Sequence, residues 1–239
     1  MPYYYYYGID WTYLVLVLPV LILSMIASAR VNSTFNRYSS QISSRRITGA
    51  QAAQRVLQAN GVSGVRIERV NGNLTDHYDP KANVIRLSDN VYDNPSTAAI
   101  GVACHEAGHA VQYAQNYGPI KLRAAIIPVT NIGSRLAMPL ILIGVLLTSL
   151  GEFSTILIYI GIACFSLSLI FQLVTLPVEF NASRRAMDAI DSMNILTDEE
   201  QQGARKTLRA AAMTYVMATL AAFTQLLRLV LLFGRRRRN

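Results

Sequence analysis

Two long apolar runs, residues 138–150 and 155–176, are separated only by Gly151-Glu152-Phe153-Ser154. Nothing else in the chain restricts its fold as much. In hydrocarbon every backbone N–H and C=O must be satisfied within the spanning element, so such runs form helices. A link this short makes the pair an antiparallel helical hairpin. Crossing about 30 Å of hydrocarbon takes about 20 helical residues at about 1.5 Å each. The first run is too short for that, so its helix is expected to begin earlier, near Ile132. Lys121, Arg123 and Arg135 precede the hairpin, and Arg184 and Arg185 follow it. Both ends are therefore expected on the same, positively charged side of a membrane.

Residues 11–29 form another apolar run. A signal peptide would carry positive charge before it, whereas here tyrosines and Asp10 precede it and Arg30, Arg37, Arg45 and Arg46 follow. That order predicts an uncleaved anchor with its N-terminus outside, and the Tyr3 to Tyr7 run suits the headgroup level. The last run, residues 210–233, is interrupted by Gln225 and Arg228 but is long enough to span. Spanning would put Arg235 to Arg238 opposite the other positive charges, against the positive-inside rule, yet a spanning helix is still expected. The net charge of +8 lies beside apolar runs, which indicates topology and contact with a lipid bilayer. Aromatic-basic interleaving is absent, so nucleic acid is not an expected partner. Cys104 and Cys164 lie far apart in apolar surroundings, without a Cys-x-x-Cys pattern, and no disulfide or cysteine metal site is expected.

The polar segments read as a small mixed domain. Residues 33–47 are serine-rich, a linker or frayed helix. Thr48 opens an amphipathic helix with Ala52, Val56 and Leu57 on one face, stopped by Asn60-Gly61. Residues 65–70 and 83–87 read as strands of a short β-hairpin, with a turn at Asn71-Gly72-Asn73. Pro95-Ser96-Thr97 starts a helix expected to reach about Gln115. Thr197 is expected to cap a helix beginning at Asp198. The chain thus divides into an anchor (1–29), a mixed region (30–131), the hairpin (132–176), a helical region (177–209) and a C-terminal apolar helix with its Arg-rich tail (210–239). The fold class is a mainly α membrane protein with three to four transmembrane helices and a small α+β domain.

The chemistry is concentrated in His105-Glu106-Ala107-Gly108-His109. Histidines at i and i+4 share one helix face and can bind one ion. Glu106 is placed to take a proton from a water activated by zinc. The chain has three histidines, and two fall here. The preceding residues 98–103 are small and apolar, so this helix belongs to a core, where unpaired His and Glu are costly. Ala107 and Gly108 allow close backbone approach. A catalytic zinc needs a third protein ligand. Glu179, after the hairpin, is a candidate because the hairpin returns it to the side of His105 and His109. Taken alone it would read as an interfacial charge. His77, within Asp76-His77-Tyr78-Asp79-Pro80, is the competing candidate, although an ordinary residue of a structured turn is its plainer reading.

The segments Leu74-Thr75-Asp76-His77-Tyr78-Asp79-Pro80, Arg86-Leu87-Ser88, 102–112 and 176–186 resemble, in order and spacing, the YugP-like neutral zinc metallopeptidases of bacterial membranes, over nearly the whole chain. More remotely the chain is similar to HtpX-type and CAAX-prenyl gluzincins, which place a membrane hairpin between the metal-motif helix and a helix bearing a glutamate ligand. The resemblance implies one zinc per chain held by His105, His109 and Glu179, with Glu106 as general base. It implies a zincin-like α+β catalytic domain over residues 30–131 in a multi-pass protein of the cell membrane that cleaves peptides or membrane proteins, and the positive charges beside the apolar runs put the active site on the cytoplasmic side as an expectation. The remote relatives carry an aspartate at the position of Ser183, where it supports a metal-binding histidine. That departure leaves Asn181 and Asp188 as candidates for the supporting role. Residues 83–87 stand where such enzymes have the edge strand that pairs with substrate. His77, Tyr78 and Arg184 are candidate oxyanion donors.

Three other readings compete. A site-2-type intramembrane protease would carry a later Leu-Asp-Gly motif, which is absent. A non-proteolytic scaffold or chaperone with a vestigial zinc site would not need Glu106. A zinc hydrolase acting on some other amide is the third.

Overall fold

The computed structural model describes residues 5–6 and 9–234. Tyr3, Tyr4 and Tyr7 of the aromatic run and the Arg235 to Arg238 tail lie outside the described residues. In chain order the elements are β1 (Tyr5–Tyr6), β2 (Ile9–Asp10), a π-helical turn (Tyr13–Val17), α1 (Leu18–Ser39), α2 (Gly49–Ala59), β3 (Arg66–Val70), β4 (His77–Asp79), β5 (Val84–Ser88), α3 (Asp89–Tyr92), α4 (Thr97–Ala114), α5 (Gly118–Leu146), a 3-10 turn (Thr148–Leu150), α6 (Glu152–Ser192) and α7 (Asp198–Phe233). They form two compact units. One comprises Met1–Ile26, Leu122–Leu176 and Tyr215–Asn239, the other Ala27–Lys121 and Pro177–Thr214.

The first unit holds the most apolar stretches. Among the described residues four helices, Tyr13–Ser39, Gly118–Leu146, Glu152–Ser192 and Asp198–Phe233, are long and apolar enough to cross a membrane. The predicted hairpin is present, but its arms are longer than the apolar runs suggest. The first begins at Gly118, with Pro128 and Pro139 inside it. The second continues through Pro177 to Ser192. Small residues let the arms approach closely, as is common between membrane helices. A Cβ on Gly144 would lie 2.8 Å from the Ser154 carbonyl oxygen, and one on Gly161 2.9 Å from that of Ala137. Arg228, which interrupts the last apolar run, donates from Nε to Asp10 Oδ2 at 3.0 Å.

In the second unit the caps are explicit. Thr48 and Gln51 form a reciprocal capping box on α2, and Ser96 caps α4 by accepting from the Ala99 N–H. Of the serine-rich segment 33–47, residues 40–47 leave the helix, while residues 33–39 continue α1, which stays helical to Ser39. Phe35 explains this: its ring is buried in the core with Ile47, Val56, Leu57, Ile85, Leu87, Ile100 and Val111. The sheet order is β3-β5-β4. β3 and β5 pair in parallel and β4 pairs antiparallel with β5. Strands 65–70 and 83–87 therefore do not form a hairpin with each other; the hairpin is β4–β5. β5 is the central strand because Val84, Ile85, Leu87 and Ser88 are all fully buried. The short β4, with His77 exposed, is one edge.

Candidate metal centre

Helix α4 presents its motif as the sequence predicts. Glu106 is buried, while His105 and His109 are partly open. The two imidazoles stand edge to face with centroids 4.7 Å apart. On α6, Glu179 is 2% exposed and aims its carboxylate at them. Its Oε2 lies 3.4 Å from His105 Nε2 and 3.6 Å from His109 Nε2. The three ligand atoms fall within 4.8 Å of one another. Two imidazole nitrogens and one carboxylate oxygen converging at this spacing form a donor set that fits zinc, three of the four ligands of a tetrahedral catalytic site.

Gly108 brings the helices together here. A Cβ at this position would meet the Ala182 carbonyl oxygen at 2.9 Å and the Ala182 Cα at 3.4 Å. The α6 backbone thus lies directly against the residue between the two histidines, and Glu179 stands about one turn before that contact. The close approach anticipated at Gly108 is what allows a carboxylate from a distant part of the chain to reach both rings.

The far side of each ring is also held. Ser183 Oγ lies 3.2 Å from His105 Nδ1, so the residue standing in place of the relatives' aspartate contacts a histidine after all. Gln112, fully buried, places Oε1 3.0 Å from His109 Nδ1. Asn181 accepts from Gln112 Nε2 at 2.9 Å and is one link removed from the ring. Asp188 is exposed. Neither expected supporting residue touches a ring directly; Ser183 and Gln112 do. Both had a readable signal. Ser183 follows Glu179 at i+4 and Gln112 follows His109 at i+3, which puts each on the ligand-bearing face.

Burial pushes the His109 imidazole toward its neutral form, but the Glu179 hydrogen bond and the charges of Glu106 and Glu179 outweigh this and leave its pKa raised. Asp76 is another group that sequence reading left unassigned. It accepts from the Ser88 N–H at 2.7 Å and the Ser88 hydroxyl at 3.0 Å. Burial raises its pKa despite both bonds, and the Glu106 charge adds to the rise. Burial also pushes the Cys104 thiol up to about 12, consistent with a packing role.

His77 lies exposed on β4, with Nδ1 2.8 Å from the Thr75 carbonyl oxygen and Nε2 3.4 Å from Arg86. The described metal-competent cluster contains Glu179 and not His77. Tyr78 donates its hydroxyl to Asn83 Oδ1 at 2.8 Å, and its ring packs on Tyr113 of α4 at 5.6 Å between centroids. Arg184 is exposed. A cavity of about 800 Å³ between α2 and β3 is lined by none of the triad.

A family described as "Putative neutral zinc metallopeptidase" matches residues 13–234. The chain is also 47% identical over 221 residues to "Putative membrane protease YugP" of Bacillus subtilis (strain 168), an alignment covering 92% of this chain and 96% of that protein. No solved structure matches the chain. With a match running almost end to end and a metal-competent triad at its centre, the chain belongs to the neutral zinc metallopeptidase family.

Proposed function

We propose that this protein is a membrane-bound zinc metallopeptidase of the gluzincin type, holding one zinc through His105, His109 and Glu179. The observation that carries this reading is the approach of both Nε2 atoms to Glu179 Oε2, at 3.4 and 3.6 Å. Zinc bound there supplies a Lewis acid that lowers the pKa of water and polarises a carbonyl. Glu106 takes the proton of the attacking water on its carboxylate and returns it to the departing amide nitrogen. Its burial strengthens that proton transfer by limiting competition from bulk water.

Substrate is an extended segment of a peptide or membrane protein, added as a strand to β4. The edge role expected for residues 83–87 passes to β4, because β5 is flanked by strands on both sides. The Tyr78–Tyr113 contact joins β4 to the metal-motif helix, which supports this choice. The active site faces the cytoplasm of the cell membrane, a reading supported by Arg30, Arg37, Arg45, Arg46, Lys121, Arg123, Arg184 and Arg185 beside the apolar stretches. A role in membrane protein quality control follows by analogy with the remote relatives.

The decisive experiment measures zinc content and casein cleavage of purified wild type and Glu106→Gln. Zinc retained with cleavage abolished is the expected result. Equal cleavage by both proteins would reject the mechanism, and zinc bound without cleavage by wild type would favour a scaffold. Orientation is tested by labelling Ser44→Cys in whole cells with an impermeant maleimide. The cysteine is expected to react only after lysis; reaction in intact cells would reverse the topology.

A further inference from the structure

His109 is the end of a chain of hydrogen bonds whose direction is fixed from two sides, by Arg185 through Asn181 and by the Val178 carbonyl. Arg185 Nε lies 2.7 Å from Asn181 Oδ1, and Arg185 Nη1 lies 2.6 Å from Gln115 Oε1. The guanidinium also stacks over the Tyr117 ring at 5.9 Å. A guanidinium only donates, so the Asn181 atom facing it must be the oxygen. That oxygen also receives Gln112 Nε2 at 2.9 Å. The same Gln112 nitrogen donates to the Val178 carbonyl at 2.9 Å, a group that only accepts. The Gln112 amide is thereby fixed, with Oε1 toward His109 Nδ1 at 3.0 Å. An oxygen at 3.0 Å favours the proton of the neutral ring on Nδ1 over one on Nε2, whose approach to Glu179 Oε2 is longer at 3.6 Å, and so frees the Nε2 lone pair for the metal position.

We infer that Arg185 is a positioning residue that selects the metal-binding tautomer of His109 through Asn181 and Gln112. The inference rests on the proposed metal site and extends it to a residue with no contact to any ligand. Without Arg185, Asn181 can turn its amide nitrogen toward Gln112 Nε2, setting two donors against each other. Gln112 then holds its orientation through Val178 alone. His105 provides an internal contrast. Its Nδ1 meets the Ser183 hydroxyl, which can donate or accept and so selects neither tautomer.

The test uses the full-length protein in detergent, with zinc affinity measured by chelator competition. Ring tautomers are read in the metal-free protein by 15N-histidine NMR at alkaline pH, where three histidines give a simple spectrum. Wild-type His109 is expected to show a protonated Nδ1 and a bare Nε2. Gln112→Met should average these signals and weaken zinc binding by roughly 10- to 100-fold, the usual cost of losing such a partner. Arg185→Met should weaken it by a smaller factor, with Arg185→Lys partly restoring it. The diagnostic variant is Asn181→Asp combined with Arg185→Met. A carboxylate presents an acceptor to Gln112 in either orientation, so this double variant should recover the wild-type His109 signals, and its affinity is compared with Asn181→Asp alone. Unchanged His109 signals in Arg185→Met, or no recovery in the double variant, would overturn the inference. These readouts need no proteolysis, so loss of cleavage with an intact tautomer response would reject the peptidase reading and leave the relay standing.

Discussion

The closest backbone contact at the site gives the most quantitative prediction. In Gly108→Ala the new Cβ would lie 2.9 Å from the Ala182 carbonyl oxygen and 3.4 Å from its Cα. Comfortable contacts to carbon begin at about 3.5 Å, so α4 and α6 must part by roughly half an ångström. Neither neighbouring atom can rotate away, because both are backbone. Coordination distances tolerate only about 0.2 Å, and Glu179 lies on the helix that must move. Zinc affinity is expected to fall roughly tenfold, or about 1.4 kcal/mol. Metal-free stability should respond differently. Alanine gains about 1 kcal/mol over glycine inside a helix, against an overpacking cost of about 1–3 kcal/mol, for a net loss of at most about 2 kcal/mol. Chelator competition gives the first quantity and denaturation of the metal-free protein the second. Wild-type zinc affinity in a folded Gly108→Ala protein would refute the argument that this contact sets the position of Glu179.

Three further outcomes are expected. Glu179→Ala should lose zinc while His77→Ala retains it, as read by metal content after dialysis; the reverse would move the third ligand to β4. Asp76 titrates above its ordinary value because it is buried, so stability contributed by its neutral form is fully present below the ordinary carboxylate range and is lost as pH rises through the folded value. Asp76→Asn should therefore flatten the fall in Tm with rising pH across that window, and parallel wild-type and variant profiles would contradict this. In the first unit, Arg228→Leu should destabilise more than Asp10→Asn combined with Arg228→Leu, because the single variant leaves the part-buried Asp10 carboxylate without its countercharge, held only by Thr12 and Tyr13. A double-mutant cycle should return a coupling of about 0.5–3 kcal/mol, and strict additivity would show that the pair contributes nothing.

What could be read from the chain follows how local each signal is. Helix α4 begins where Pro95 and Ser96 predict because an N-cap acts within one turn. The hairpin was visible because hydrocarbon tolerates so few structures. The continuation of α1 to Ser39 was only half legible, with linker and frayed helix both open, because its polar, serine-rich surface lacks helix periodicity. The reason it is helical lies in Phe35 and in core residues distant in sequence. Strand order was hidden for a similar cause. Parallel pairing of β3 with β5 is a long-range choice, settled by burying Val84, Ile85 and Leu87, and no turn signal encodes it. At the site, His105 and His109 were legible as a pair from their i, i+4 spacing, whereas Glu179 could be singled out only through the hairpin that returns it and through family resemblance. The support was less legible, since a glutamine in a helix ordinarily reads as surface. Gln112 could have been singled out by combining two facts: it lies one turn from His109, and its helix is apolar enough to be core. A buried amide there must find partners for both its oxygen and its nitrogen. In this fold those partners are the metal-motif helix itself and the helix that carries Glu179. One side chain thus orients a ring on α4 while joining α4 to α6, so the geometry of the triad and the packing of the two helices that form it depend on the same residue.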